Sequence, residues 1–308
     1  MLLFQQNETM ISDNVTRELR TLAKHASREL DLWVNEHFYA ARALSTSNVI
    51  VNALSVTSPA VTNDDQETYQ ALAHYLRSVH ERLDTMLELT VLDAEGEIVA
   101  SSAIVPSVTT FSFDWSQNDA LTQGFVASPP RWNTRYETAM LTIAVPILSL
   151  DNFVLGALVV ALDLQTIRTA LKDAKKNPLS EVLLVNPDGR VMLASHVETR
   201  NTLLLDTEIL ERLQNQSGKS LVFDSVMQQQ VIGLVYLSAM LPITIVAERN
   251  RKDVYAAWIQ QRNLFIVQVG VLLLIIAIVA IRLAHSIVVP LQRLVDATQQ
   301  IVKGDLEV

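Results

Sequence analysis

The sequence contains no cysteine among its 308 residues. That excludes disulfides, cysteine-ligated zinc and thiol catalysis together. Glycine is almost as scarce, with eight residues, which leaves little for phosphate-cradling loops. Neither GxGxxG, nor GxSxG, nor GxxxxGK followed by Ser or Thr occurs, so the common nucleotide-binding and serine-hydrolase signatures are missing. The histidines form no zinc pattern: Glu36 and His37 are not part of an HExxH, and His74 and His80 stand six apart. Positive charge is in deficit, the formal net charge being -9, which argues against a duplex nucleic-acid partner. A signal peptide is also missing, since Met1-Leu2-Leu3-Phe4 runs at once into Gln5, Gln6, Asn7 and Glu8. Two expectations follow, a start upstream of Met1 that carries a first membrane helix or a single span acting as a reverse signal anchor, and the first is favoured.

What is abundant is apolar sequence, 49% of residues, and it is concentrated from Leu264 to Leu283. Between Arg262 and Arg282 the only polar side chains are Asn263 and Gln268. At ~1.5 Å per residue such a helix covers about 30 Å, the thickness of a bilayer's hydrocarbon core. Arg262 and Arg282 can snorkel to the headgroups at either end. Basic residues flank both sides evenly (Arg249, Arg251 and Lys252 before; Arg293 and Lys303 after), so charge alone sets no orientation.

Ahead of this run the pattern divides into modules. Leu19, Leu22, Ala26, Leu30, Trp33, His37, Ala41 and Leu44 recur at helical spacing, predicting one long helix over 12–54 that acts as a spine or stalk. A turn-rich break at Ser58–Asp65 precedes a second helix predicted over 66–87. Glu88–Ser102 and Glu181–Ser195 then align without gaps: strand, acidic-glycine turn, strand, serine. Asp93-Ala94-Glu95-Gly96 and Asn186-Pro187-Asp188-Gly189 are hairpin turns in which glycine supplies positive φ. Each hairpin is followed by an antiparallel pair, 140–148 with 155–164 and 231–237 with 243–248. Repetition of this order points to a duplicated α+β module.

Two resemblances follow from these residues. Pro290-Leu291, Leu294, Ile301 and Gly304-Asp305-Leu306, directly after the apolar run, resemble the opening of a HAMP linker. The duplicated module behind a long helix resembles a double Cache domain, two PAS-like sheets along one spine. The fold so implied is α+β: a long N-terminal helix, two stacked PAS-like antiparallel sheet modules, a transmembrane helix and a HAMP-like helix. The divisions expected are 1–57 spine, 58–178 membrane-distal Cache module, 179–258 membrane-proximal Cache module, 259–285 transmembrane helix and 286–308 start of HAMP. The resemblance implies a bacterial inner-membrane signal receptor with its large domain periplasmic or extracellular and its C-terminal end cytoplasmic. It further implies a homodimer, and a histidine kinase, chemoreceptor or nucleotide cyclase output module in cis. No catalysis and no cofactor are expected of this chain.

The candidate ligand-binding residues are Trp115, Arg131, Trp132, Tyr136 and Asp163. Aromatic walls with a few placed polar groups make small-molecule sites; an arginine clamps a carboxylate and an aspartate receives an ammonium. One Cache subgroup binds amino acids through an arginine, a tryptophan-tyrosine pair and an aspartate closing the last strand. Trp115 and Asp163 match that pattern, whereas Phe113 and Ser116 stand where its arginine and tyrosine belong. Arg131 is the candidate replacement. Asp163 ends the apolar strand GALVVALDL and has a second reading as the cap of the helix that follows. His196, Glu198 and Arg200 read as ordinary loop residues. The alternative to a small ligand is an ectodomain that dimerises or binds a periplasmic partner protein.

Overall fold

The computed structural model describes residues 2–55, 63–83, 85–107, 124–173, 179–196, 203–216 and 218–283. The HAMP-like segment after Leu283 lies outside them, as do Trp115, Glu198 and Arg200. Two compact units divide the chain, Met1–Arg251 and Lys252–Val308.

In the first unit, helix α1 (Leu2–Ser45) is followed by α2 (Asn48–Ser55) and α3 (Asn63–His80). The single helix expected over 12–54 is therefore two. Its break falls where Ser45 and Thr46 turn their hydroxyls onto the carbonyls of Arg42 and Ala43 at 3.0 Å each, competing locally with the helical ladder. The second helix stops at His80, seven residues before the expected end at Leu87. Turn bonds from Arg82 to Val79 and from Leu83 to His80 close it, and Leu87 joins a strand whose β-branched neighbours outweigh a chance helical spacing.

The first sheet holds β1 (Met86–Asp93), β2 (Ile98–Ser101), β3 (Val126–Ala127), β4 (Arg131–Asn133), β5 (Thr138–Leu148) and β6 (Val154–Asp163), in the order β2-β1-β6-β5-β3 with β4 also on β5. A 3-10 turn (Leu164–Ile167) and α4 (Arg168–Asp173) lead to the second sheet. It comprises β7 (Ser180–Val185), β8 (Val191–Ala194), β9 (Leu221–Asp224), β10 (Gln230–Leu237) and β11 (Thr244–Asn250), in the order β8-β7-β11-β10-β9. Helix α5 (Thr207–Asn215) sits between β8 and β9 in sequence. The two orders are the same, so the duplication extends to topology. It extends to hydrogen bonds as well: Leu89 N–H donates to Ser102 Oγ at 3.0 Å and Val182 N–H to Ser195 Oγ at 3.1 Å. Gly96 and Gly189 take φ of 89° and 81° in the two hairpin turns, the left-handed region that favours glycine.

Helix α1 serves both sheets. Val15, Leu19, Leu22, Ala26, Leu30, Val34, Phe38 and Ala41 are buried along one side of it. Toward its start, Thr16 bonds Ser220 at 2.6 Å and Glu18 pairs with Arg249 at 3.2 Å, both in the second module. Toward its end, Trp33 Nε1 donates to Thr166 at 3.1 Å, His37 Nε2 meets Thr85 at 2.9 Å, and Phe38 stacks at 5.1 Å on Phe125, all in the first. His37 also bonds the Trp33 carbonyl at 2.7 Å, which makes it a structural residue. The modules touch directly where Asn186 Nδ2 donates to the Pro130 carbonyl at 3.3 Å and Arg168 Nε to the Ala194 carbonyl at 3.0 Å.

Helix α6 (Arg251–Leu283) begins at the residue after β11 and runs 33 residues without interruption. Its mean hydropathy reaches 3.2 over its most apolar stretch, and by length and composition it can cross a membrane.

Candidate functional site

Strand alternation gives each sheet two faces. In the first sheet the register pairs Leu89 with Val160, Val91 with Leu158 and Leu158 with Val145, and these apolar residues share the face that Phe125 presents to α1. The opposite, outer face has a different chemistry. Its paired positions are Glu88 with Ala161, Thr90 with Val159 and Ser101, Thr142 with Ala161, and Met140 with Asp163 and Arg131.

Glu88 is at the middle of this outer face and is only 1% exposed. Burial of a carboxylate is tolerated when donors surround it. Thr90 donates to Glu88 Oε1 at 3.0 Å, Ser101 at 3.3 Å, and the Ser107 N–H reaches both oxygens at 3.1 and 3.0 Å. The turn after β4 leans toward the same place. Asn133 Oδ1 accepts from the Arg135 and Tyr136 N–H groups at 2.9 and 3.2 Å, while Arg135 Nη1 donates to the Val105 carbonyl. The Arg135 guanidinium stands 5.6 Å from the centre of the Tyr136 ring. Burial first, and the nearby Glu88 carboxylate second, hold the Tyr136 phenol above its ordinary value, against the opposing pull of Arg135 and a bond to Ser107.

Asp163 occupies the end of β6 as the sequence pattern indicated, and it caps the turn that follows. Its Oδ1 accepts the Gln165 N–H at 2.9 Å, capping the 3-10 turn, and the Thr138 hydroxyl at 2.6 Å. Neither bond uses Oδ2. Arg131 is exposed and lies across β5 from Asp163, the two residues flanking Met140. Two strand spacings separate them, about 10 Å. Trp132 pairs with Ala139 and so falls on the opposite face from Arg131. Tyr136 is half-buried beside Glu88. Of the five candidates, the fold thus brings Arg131, Tyr136 and Asp163 to one face, and Trp115 lies outside the described residues.

Thr142 adds a feature that the sequence gave no reason to single out. It is fully buried, and its Oγ1 has no hydrogen-bond partner. An unpaired buried hydroxyl costs roughly 1–3 kcal/mol, more than a residue of purely structural value would be expected to impose. Glu88 has one sequence signal, its repetition as Glu181 in the aligned module. The face as a whole is a buried array of hydroxyls and carboxylates beside a small apolar cluster of Leu92, Ala144 and Val159. Such an array can bind a small polar ligand. Among the described residues no group of three or more His, Asp or Glu is placed to hold a metal.

A family model described as a Cache domain matches residues 7–258. No curated protein matches the sequence. Among solved structures the chain is similar to the sensor domain of the V. cholerae histidine kinase DctB, with 14% identity and a TM-score of 0.51 over 78% of this chain and 98% of that one. It is similar to the ligand-binding domain of the Campylobacter jejuni chemoreceptor Tlp3 in complex with L-valine, with 14% identity and a TM-score of 0.53 over 80% and 96%. It is also similar to the ligand-binding domain of the Pseudomonas aeruginosa PAO1 amino acid chemoreceptor PctB in complex with L-Gln, with 17% identity and a TM-score of 0.50 over 78% and 92%. At these identities the likeness is one of fold.

Proposed function

The chain belongs to the Cache domain family, and we propose that it is the input half of a bacterial transmembrane signal receptor whose first module binds a small extracytoplasmic ligand. The observation that carries this reading is the outer face of the first sheet, where buried Glu88 and the unpartnered Thr142 hydroxyl stand in place of apolar filling. The ligand class that fits is a small zwitterion. Asp163 receives its ammonium through Oδ2, and Arg131, about 10 Å away, clamps its carboxylate from the other side of Met140. The Tlp3 and PctB structures, solved with L-valine and L-Gln, supply the precedent for an amino acid.

The remaining parts of the reading concern transmission. Residues 58–178 form the membrane-distal module, 179–258 the proximal one, and 259–285 the span. Because α6 follows β11 without a loop, a shift of the second sheet becomes a displacement of the helix. That displacement passes to a cytoplasmic HAMP segment over 286–308 and to an output module in cis. Signalling of this kind requires the ligand to bind the two states with different affinity. HAMP bundles need two copies, so the receptor is a homodimer.

A thermal-shift screen of the full chain in lipid nanodiscs, with L-amino acids and short carboxylates, tests the site. A ligand at 100 times its Kd stabilises by about 2.7 kcal/mol, a rise of several degrees. Arg131→Ala and Asp163→Ala should each abolish it. A hit that survives both changes removes this site, and a well-folded chain that no compound moves favours a partner-binding ectodomain instead. Leu32 and Tyr39, 54% and 65% exposed on α1, would be the first places to look for such a partner.

A further inference from the structure

The second module has a polar site of its own at the edge of an otherwise apolar face. Glu181 of β7 and Glu248 of β11 are directly paired across the two strands, so their side chains emerge side by side. Like charges at this separation repel, and both carboxylates would carry charge in water. Glu181 is stabilised from one side: Ser195 Oγ donates to its Oε1 at 3.1 Å, the His196 N–H to the same atom at 2.7 Å, and His196 Nδ1 lies 2.8 Å from Oε2. Glu248 is treated differently. It is only 5% exposed, Ser225 donates to Oε1, and Oε2 has no hydrogen-bond partner at all.

Both carboxylates line a cavity of about 150 Å³, together with Ser225, Met227, Gln229 and Val231. The cavity lies wholly within the second module and is far in sequence from the residues of the first site. One cation, Arg249, is part of the lining, and its Nη1 reaches Glu18 on α1 at 3.2 Å; Arg251 Nη1 donates to Gln230 at 3.2 Å. His196 faces Glu181. Glu181 and Glu248 supply the cavity with carboxylate acceptors, Arg249 and Asn250 complete its polar lining, and Met227 and Val231 form an apolar wall. A metal ion is a poor match, since no third acidic or histidine ligand completes a shell among the described residues. An alkylammonium matches both halves: N–H donors for the two carboxylates, and a short carbon stem for the apolar wall.

We propose that this cavity is a second binding site, selective for a small alkylammonium ion held between Glu181 and Glu248. A cation there relieves the repulsion of the pair and satisfies the orphaned Oε2. The site gives the second module an input independent of the first. Burial raises the Glu248 carboxyl from its ordinary 4.5 to about 7, opposed by the Ser225 bond and reinforced by Glu181. Cation binding must then compete with a proton, which supplies a signature that a chance ionic contact lacks.

Isothermal titration of the full chain in nanodiscs with ethylammonium chloride tests the site, using sodium chloride at equal ionic strength as the control. Saturable binding is expected, about tenfold tighter at pH 8 than at pH 6 as Glu248 loses its proton. Glu248→Gln should weaken binding at least tenfold and remove the pH dependence; Glu181→Gln should weaken it as well and serves if Glu248→Gln folds poorly. Asp163→Asn, in the other module, should retain the binding. The proposal is overturned if ethylammonium gives no saturable heat at pH 8, if the affinity is the same at pH 6 and pH 8, or if Asp163→Asn abolishes binding that Glu248→Gln preserves.

Discussion

In the second module the outer face of the sheet carries Leu183, Val185, Val235 and Val246, and Leu210 and Leu213 of α5 belong to the same buried cluster, with Phe223 and Leu205 completing it. In the first module the matching positions read Thr90 for Leu183, Leu92 for Val185, Ala144 for Val235 and Val159 for Val246. Two sheets of one strand order thus divide the labour. The second closes its outer face on its own side chains; the first keeps that face small and hydroxylated. The difference is made by a few side chains at constant backbone. The pair Gly233 and Thr142 shows how local the choice is. A Cβ on Gly233 would come within 2.7 Å of the Phe223 ring, because the space above that strand is already filled, whereas Thr142 at the matching place has an unused hydroxyl.

The contrast can be broken most forcefully from the filled side. Leu183→Ala should cost about 2–5 kcal/mol, the usual range for a large-to-small change in a packed core, read as a drop in the denaturation midpoint of the full chain. A loss below 1 kcal/mol would mean that this face is not a sealed core.

Next in size is the effect of pH on the carboxylate pair. The folded chain holds a proton on Glu248 up to about pH 7, where an unfolded glutamate releases it near 4.5. The folded state therefore binds more protons across that window, and stability falls as pH rises through it. The contribution is fully present below 4.5, and about 3 kcal/mol is the ceiling on its loss by pH 8. Glu248→Gln should flatten this part of the melting profile and raise the melting temperature at pH 8 by several degrees. An unchanged slope would show that Glu248 is charged when folded.

Thr142→Val sharpens the comparison from the other side. Removing an unpaired hydroxyl at nearly constant volume should leave stability equal or higher by about 1 kcal/mol, while ligand-induced stabilisation decreases. Loss of stability on this change would identify a bonded hydroxyl and weaken the reading of that face. The smallest effect belongs to the surface of α5, where Arg212 and Glu208 pair at 2.7 Å with both side chains largely exposed. Glu208→Gln should shift stability by about 0.5 kcal/mol or less, and it serves as the baseline for the other three.

Much of this architecture is legible in the sequence. The two hairpins, the antiparallel pairs after them and the apolar α6 all follow from alternation, turn chemistry and length. What was misread has physical causes. The break at Thr46 depends on hydroxyls bonding back to carbonyls, which apolar periodicity does not register, and the end of α3 was hidden because Leu83 and Leu87 continue its spacing by chance. At the site, Asp163 stood out because it terminates an apolar strand, and Arg131 because a cation was needed. Thr142 did not, since threonine is at home in any strand and only three-dimensional placement shows that its hydroxyl is alone. Glu88 and Glu248 belong to the same class: a single carboxylate in a strand looks like a solvent-facing residue until the sheet's two faces are known.

Helix α1 supplies apolar side chains to the cores of both sheets, from Val15 and Leu19 at one end to Phe38 and Ala41 at the other. Neither sheet can shed its share of that helix without exposing part of the other's interior. Tandem modules joined by a linker melt one after the other; modules that share a strut lose their order together. The two modules should accordingly behave as one cooperative block, with a single calorimetric transition. A perturbation that loosens the outermost strand of either sheet is then felt by the whole block.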